Sequence, residues 1–254
     1  RRVEVIAPET TLLGARAPRP VAGYTETILR QIGVIFGALG QARPDRATAA
    51  PFGTINALSL SGQRADGTRW VMFSFFGGGL GGNPESDGLH HANNPISTAT
   101  MPPVEILEAA NPVMFTQWAL RPDSGGPGLH RGGVGAVYEI EALAPGMTEI
   151  ALLGERGRFA PSGVAGGGAG AMNTFWWESS DGRASPPMAS KVVGVSIRQG
   201  QRLRLESPGG GGWGDPLQRP VEAVARDIRL GYVSAEAAMR DYGVRIAPDG
   251  SVSR

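Results

Sequence analysis

Near the N-terminus the apolar positions have a helical rhythm. Ile28, Ile32, Ile35, Phe36 and Leu39 recur three and four apart within residues 21–40, which predicts one apolar helix face, and Gly40 is a suitable stop. Beyond it the period drops to two. Residues 54–61 and 69–76 read as strands joined by Ala65-Asp66-Gly67, a β-hairpin pattern. Further short strands are predicted at 3–8, 114–120, 134–143, 149–154, 173–178, 191–195 and 202–206. PVEILEA (103–109) is ambiguous and compatible with a short helix opening on proline. The C-terminus returns to helical punctuation. Residues 219–231 carry Pro at the first turn and Gly at the end, and Ser234 caps AEAAMRDY before Gly243. The expected fold class is α+β: a β-rich, glycine-loop body over 1–216 with one helix near 21–40, a helical hairpin over 217–243, and a frayed tail over 244–254.

Composition sharpens this picture at one point. The 254 residues, 41% hydrophobic and 19% charged, suit one large or two small domains with a real core. A net charge of +1 gives no basic field for nucleic acid or an anionic membrane, and no apolar run reaches membrane-span length. Zero cysteines exclude disulfides, thiolate catalysis and thiolate metal sites. RRVEVIAPET has no apolar signal region, so a cytoplasmic protein is expected. Glycine is the anomaly, with 39 Gly beside 20 Pro. The glycines cluster as GGGLGG (77–82), SGGPG (124–128), RGGVG (131–135), GVAGGGAG (163–170) and PGGGGWG (208–214). Tight turns between strands explain such clusters, and so does backbone brought close to a ligand or another subunit. A P-loop is excluded, because the sole lysine, Lys191, lies in no glycine loop, and there is no G-x-S-x-G elbow.

Candidate chemistry gathers in two stretches. Two of the three histidines, His90 and His91, stand together in DGLHHANNP (87–95), followed by Asn93 and Asn94. Neighbours on a strand face opposite ways, so only a loop would let both imidazoles serve one site in proton transfer or metal ligation. Glu105 and Glu108, three apart, would share a helix face; paired carboxylates bind cations or anchor arginine, whereas a lone one caps loop amides, the reading favoured for Glu108. In RPDSGGPGLHRGG (121–133), Asp123 and Ser124 can cap amides, while Arg121, His130 and Arg131 could meet an anion. A rigid structural loop explains the same residues.

Together, PFGTINALSL, FFGGGLGG, DGLHHANN…PPVEILEAANP, LRPDSGGPGLHRGGVGAVYE, RGRFAPSGVAGG and SPGGGGWGDPLQRPVEAVARDIRLGYVSAEAAMRDYGV resemble the B-type component of ATP-dependent hydantoinases and 5-oxoprolinases, to which subunits of acetone and acetophenone carboxylases are related. The resemblance runs over essentially the whole chain and corresponds to the C-terminal half of such subunits. It implies a division of labour within a hetero-oligomer. An A-type subunit with an actin-like fold binds ATP and phosphorylates a carbonyl or amide oxygen, and the B-type subunit handles the activated intermediate by hydrolysis or carboxylation. It further implies that this chain supplies no metal ligands, a divalent metal being supplied mainly by an N-terminal half. Residue by residue, it carries over His91, Asn93 and Glu105. His91, His90, Glu105 and Asp123 are then the expected catalytic residues, with Asn93, Asn94, Ser124 and Arg131 on the substrate. The glycine run before His90 reads as close-packed backbone. The alternatives are a ketone carboxylase subunit and a non-catalytic scaffold. The family pattern, a His-Met-Thr-Asn-Thr type stretch leading into Pro-x-Glu, here reads His91-Ala-Asn-Asn-Pro with a longer gap to Pro103.

Overall fold

The computed structural model describes residues 4–21, 24–93, 101–247 and 251–254. Two antiparallel sheets face each other. One contains β1 (Ala57–Gln63), β2 (Arg69–Ser74), β5 (Met147–Leu153) and β8 (Lys191–Arg198), in the order β2-β1-β5-β8. The other contains β3 (Val113–Leu120), β4 (Ala136–Ala142), β6 (Thr174–Ser179), β7 (Gly182–Ala184) and β9 (Arg202–Glu206), in the order β3-β4-β9-β6-β7. The two-residue alternation puts Leu58, Leu60, Trp70, Met72, Ile150 and Leu152 on the inner face of the first sheet. Tyr138, Ile140, Phe175, Leu203 and Leu205 meet them from the second, forming one core. Each fully buried aliphatic side chain there contributes about 1.5–3 kcal/mol.

The predicted hairpin is β1–β2, paired from Leu58↔Ser74 to Gln63↔Arg69. Its turn places Gly67 at φ +81°, and the Asp66 carboxylate accepts from Thr68 N–H. PVEILEA is helical, as α2 (Val104–Ala110) with Pro103 at its N-cap. Residues 4–8, expected as part of a strand, have no regular structure, since no neighbouring edge pairs with them.

The glycine clusters correct the tight-turn reading. They are extended segments lying side by side and bonded to one another through main chain. Gly79 N–H donates to Pro208 O, Gly133 N–H to Leu80 O, Gly210 N–H to Gly133 O and Gly126 N–H to Gly210 O. A Cβ at Gly79 or Gly210 would overlap the carbonyl of Gly133 or Leu80. Glycine is therefore required by the closeness of backbone to backbone within this chain.

Two helices close the C-terminal end. The α3 helix (Val221–Arg229) is followed by Gly231 at φ +73°, and α4 (Ala235–Tyr242) by Gly243 at φ +66°. Ser234 Oγ accepts from Ala237 N–H at 3.0 Å, the predicted cap. The tail is less frayed than its composition suggests: β10 (Arg245–Ile246) pairs with β11 (Val252–Ser253), and Arg254 donates to the carbonyls of Tyr242 and Arg219.

The N-terminal helix, α1 (Tyr24–Ala42), forms where the periodicity places it, yet its orientation differs from expectation. It buries Leu29 and Glu26 against the body, while Ile28, Val34, Ile35, Phe36 and Leu39 face outward.

Candidate functional site

His91 sits at a kink, with φ +43°. This left-handed residue turns the two adjacent imidazoles into different surroundings. The His91 ring enters an aromatic nest of Trp118, Tyr138 and Phe76. Trp118 Nε1–H donates to His91 Nε2 at 3.2 Å, and the Tyr138 hydroxyl lies 2.5 Å from the same nitrogen. Indole can only donate, so Nε2 accepts and the ring proton resides on Nδ1. Burial lowers the pKa of His91 and keeps the ring neutral; burial also raises that of Tyr138 well above its ordinary value. The backbone is tied down by His91 N–H to Val134 O and by reciprocal bonds between Ala92 and Gly78. The glycine run thus fixes the His stretch through main chain, as expected.

The His90 ring instead stacks on Tyr232, with centroids 4.1 Å apart, and its Nδ1 accepts from Val134 N–H at 3.0 Å. Burial, then the neighbouring Arg131 charge, lower its pKa to about 4. His90 lines a cleft of about 590 Å³ between the body and α3. Beside it lies a buried network that the sequence reading did not anticipate. Asp227 of α3 accepts from Arg131 Nε at 3.1 Å and from Arg219 Nη2 at 2.9 Å. Arg219 also grips Asp87 through two bonds of 2.7 Å. Arg131 is 2% exposed, and Arg219 and Asp227 are each 4% exposed. Burial alone would lower the pKa of Arg219 and raise that of Asp87; their mutual bonds and charges outweigh it and drive both shifts the other way. This network clamps the helical hairpin to the glycine layer.

The remaining expected residues occupy varied places. The Asp123 carboxylate accepts from Ser234 N–H at 2.7 Å and anchors the start of α4. Ser124 is fully buried; its hydroxyl donates to Arg121 O and accepts from Gly135 N–H. In this arrangement Asp123, Ser124 and Arg131 position other parts of the chain, the rigid-loop reading of 121–133. Ligand contact by Ser124 and Arg131 would require them to leave buried bonds to their own chain. Glu105 is exposed in the first turn of α2, and among the described residues no hydrogen bond links it to either histidine. Glu108 caps Phe115 N–H at 2.7 Å, the structural role favoured for it. Asn93 follows directly on the aromatic nest, and Asn94 lies outside the described residues. Tyr138 and Trp118 had only their strand positions to mark them, and Asp87, Arg219 and Asp227 lie too far apart in sequence to signal a cluster.

Among the described residues no group of three or more His, Cys, Asp or Glu side chains could hold a metal ion. Asp87 and Asp227 are neutralised by arginine, and many of the glycine amides, among them those of Gly79, Gly126, Gly133 and Gly210, bond to carbonyls of this chain. These residues fit neither a metal nor a nucleotide phosphate. Among the described residues no helix is long and apolar enough to cross a membrane.

Comparison with known proteins identifies the family. The family model described as Hydantoinase B/oxoprolinase matches residues 1–216. The caprolactamase beta chain of Pseudomonas jessenii is 32% identical over 97% of this chain and 44% of its own length. The B component of a putative D-/L-hydantoinase from a Pseudomonas species is 27% identical over 97% and 41%. The crystal structure of the ATP-dependent caprolactamase from Pseudomonas jessenii superposes with a TM-score of 0.80 at 28% identity, covering 97% of this chain and 44% of that one. Acetone carboxylase shares the fold, with a TM-score of 0.69 at 24% identity over 82% of this chain and 32% of that one. The chain spans less than half the length of these relatives. It belongs to the Hydantoinase B/oxoprolinase family.

Proposed function

We propose that this chain is part of the catalytic B-type subunit of an ATP-dependent amidohydrolase that opens a cyclic amide of hydantoin, oxoproline or lactam type. The carbonyl oxygen is phosphorylated first on an actin-like A-type partner. Relatives named for hydantoinase, caprolactamase and 5-oxoprolinase activity support the substrate class. Phosphorylation makes the ring carbon electrophilic. The B side then has to exclude bulk solvent, place a water molecule against that carbon and manage its proton.

The observation that carries this reading is the setting of His91. It is a neutral imidazole whose tautomer is set by the Trp118 donor, beside the Tyr138 hydroxyl, at a kink held by the glycine layer. With Nε2 held by Trp118, the ring acts as a base only once that bond is released, and otherwise can only donate from Nδ1–H; either way its orientation is set before the substrate arrives. In this reading His91 faces the activated substrate and His90 supports it from the opposite side. Glu105 shares the catalytic work and Asn93 and Asn94 bind the substrate, and any divalent metal comes from the portion of the subunit that this chain does not span.

The test is turnover by the assembled complex with ATP and hydantoin, 5-oxoproline or caprolactam. His91→Ala should abolish ring opening while native mass spectrometry shows the assembly intact. Ring opening at the wild-type rate would overturn the assignment. A requirement for bicarbonate would move the reaction to carboxylation. ATP turnover indifferent to substitution of His90, His91 and Asp123 would make the chain a scaffold.

A further inference from the structure

The two outer faces of the sandwich are finished in opposite ways. On the five-stranded sheet, Arg202 pairs with Glu139 and Glu141, and Arg204 with Glu139 and Glu206, a charged lattice suited to water. On the four-stranded sheet the outward residues include Val71, Phe73, Met147, Leu153 and Val193, with Phe75 just beyond β2, while Arg69, Glu149 and Lys191 edge the same face. Val193 is 78% exposed and Val71 65%. Between these rows the floor is small: Ser59 stands opposite Phe73 on one side and Ala151 on the other, with Ala57 two residues along. The result is a trough of about 720 Å³ walled by Phe73, Phe75 and Val193. A large apolar patch rimmed by polar residues marks an interaction surface.

Thr25, in the first turn of α1, lines the trough, and its neighbours Glu26 and Thr27 line a second cleft of about 740 Å³. Val34 and Ile35 of α1 line it with Val5, Leu12 and Leu13. At Gly33 and Gly37 nothing lies within 4 Å of where a Cβ would stand, so this helix flank is smooth and open. At the floor, Glu26 is 6% exposed; its Oε1 accepts from Ile55 N–H and Thr54, while its Oε2 has no partner. Arg30 Nε and Nη2 are likewise buried and unpartnered. Burial raises the pKa of Glu26 and lowers that of Arg30. These atoms are closed off within this chain, Arg30 Nη2 lying against Gly53, so what the cleft offers outward is its apolar rim.

We propose that the trough and the α1 cleft form one docking surface, whose occupant is the polypeptide that makes up the remainder of a B-type subunit. The inference rests on membership of the family. Relatives matched over 97% of this chain devote more than half of their own length to other sequence, and that sequence has to seat against the matched body. The outer face of the four-stranded sheet and the exposed stripe of α1 are where this body offers apolar area. Apolar side chains of the occupant fill the trough and cover the exposed stripe of α1.

The experiment places a photoreactive benzoylphenylalanine at Val34 or Phe73 of the full chain in its source cells, with Arg229 on α3 as control. Adducts are expected from positions 34 and 73 and not from 229. Their peptides should be similar in sequence to the part of the caprolactamase beta chain that this chain does not match. Phe73→Arg with Val193→Asp should cut association at least tenfold with thermal unfolding unchanged, since both side chains are exposed. An adduct of twice the chain mass, an adduct to an unrelated protein, no adduct, or undiminished association would overturn the proposal. So would calorimetric binding of 5-oxoproline or caprolactam to the chain alone that is lost in Arg30→Met, which would make the cleft a ligand pocket. Adduct identity is read without any turnover, so docking can hold even where ring opening fails.

Discussion

Replacing Asp227 by Asn removes one charge from the clamp under α3 and leaves its shape. The carboxylate accepts from Arg131 at 3.1 and 3.3 Å and from Arg219 at 2.9 Å, and all three residues are nearly inaccessible to water. Arg219 keeps its two bonds to Asp87 in the variant. Arg131 keeps only a 3.8 Å approach to Asp87, together with its bond to Gly132 O. Removing one partner of a buried pair costs about 3–5 kcal/mol, because the surviving charge stays desolvated. A Coulomb estimate at an effective dielectric near 20 gives about 4 kcal/mol at 4 Å, in agreement. At about 2–4 °C per kcal/mol for a chain of this size, the melting temperature should fall by roughly 6–20 °C. The assay is urea unfolding followed by circular dichroism, with hydrogen exchange to locate the loss. Amides of α3 and α4 should lose protection before those of the sheets. The burial of the pair makes the effect nearly insensitive to salt. Asp87→Asn, at a more exposed site, should cost less. A loss below about 1 kcal/mol, or the same loss in an Arg131→Met background, would refute the clamp, since uncoupled residues add.

The aromatic and glycine elements yield further tests. Gly210→Ala puts a methyl group onto the Leu80 carbonyl inside the stacked segments, and should destabilise by more than about 4 kcal/mol or prevent soluble expression; near-native unfolding would mean that the segments separate readily. Ser124→Ala strands Gly135 N–H in the interior and should cost about 1–3 kcal/mol in chemical denaturation, whereas a neutral result would point to a water taking the place of the hydroxyl. His90, flanked by Arg131, Asp87 and Asp227, has a folded pKa of about 4 against an unfolded value of 6.5. Between those values the unfolded chain binds the extra proton, so stability is fully present above pH 6.5 and is lost as pH falls towards 4. Discounted for partial exposure, the loss is about 1–2 kcal/mol, and His90→Gln should flatten that part of the profile; an unchanged profile would refute it.

Local signals are legible in the sequence wherever the physics is local. The Asp66-Gly67 turn, the Ser234 cap, the glycine stops at 231 and 243 and the strand alternation each depend on a few consecutive residues, and each is present. The Glu108 cap is legible for the same reason, being a carboxylate near loop amides. The three-residue and four-residue spacing in α1 establishes that the helix has an apolar face; what covers that face is a property of other polypeptide, so the outward stripe of Val34, Ile35 and Leu39 is not legible.

The sequence by itself determined the α+β class, the positions of most elements, the family, and the adjacency of two histidines after a glycine run. Only the tertiary structure decided where those histidines go. A single left-handed residue, His91, sends one ring to Trp118 and Tyr138, 27 and 47 positions away, and leaves the other on Tyr232. The clamp of Asp87, Arg131, Arg219 and Asp227 was likewise invisible, because its members meet across separations of up to 132 residues. The glycine segments show the same division. Their composition marked them as special, but that backbone presses against them follows from the stacking of stretches drawn from residues 77–82, 124–135, 163–170 and 208–214. Short-range conformational preference is written in neighbouring residues; long-range contact depends on how the sheets and helices close on one another.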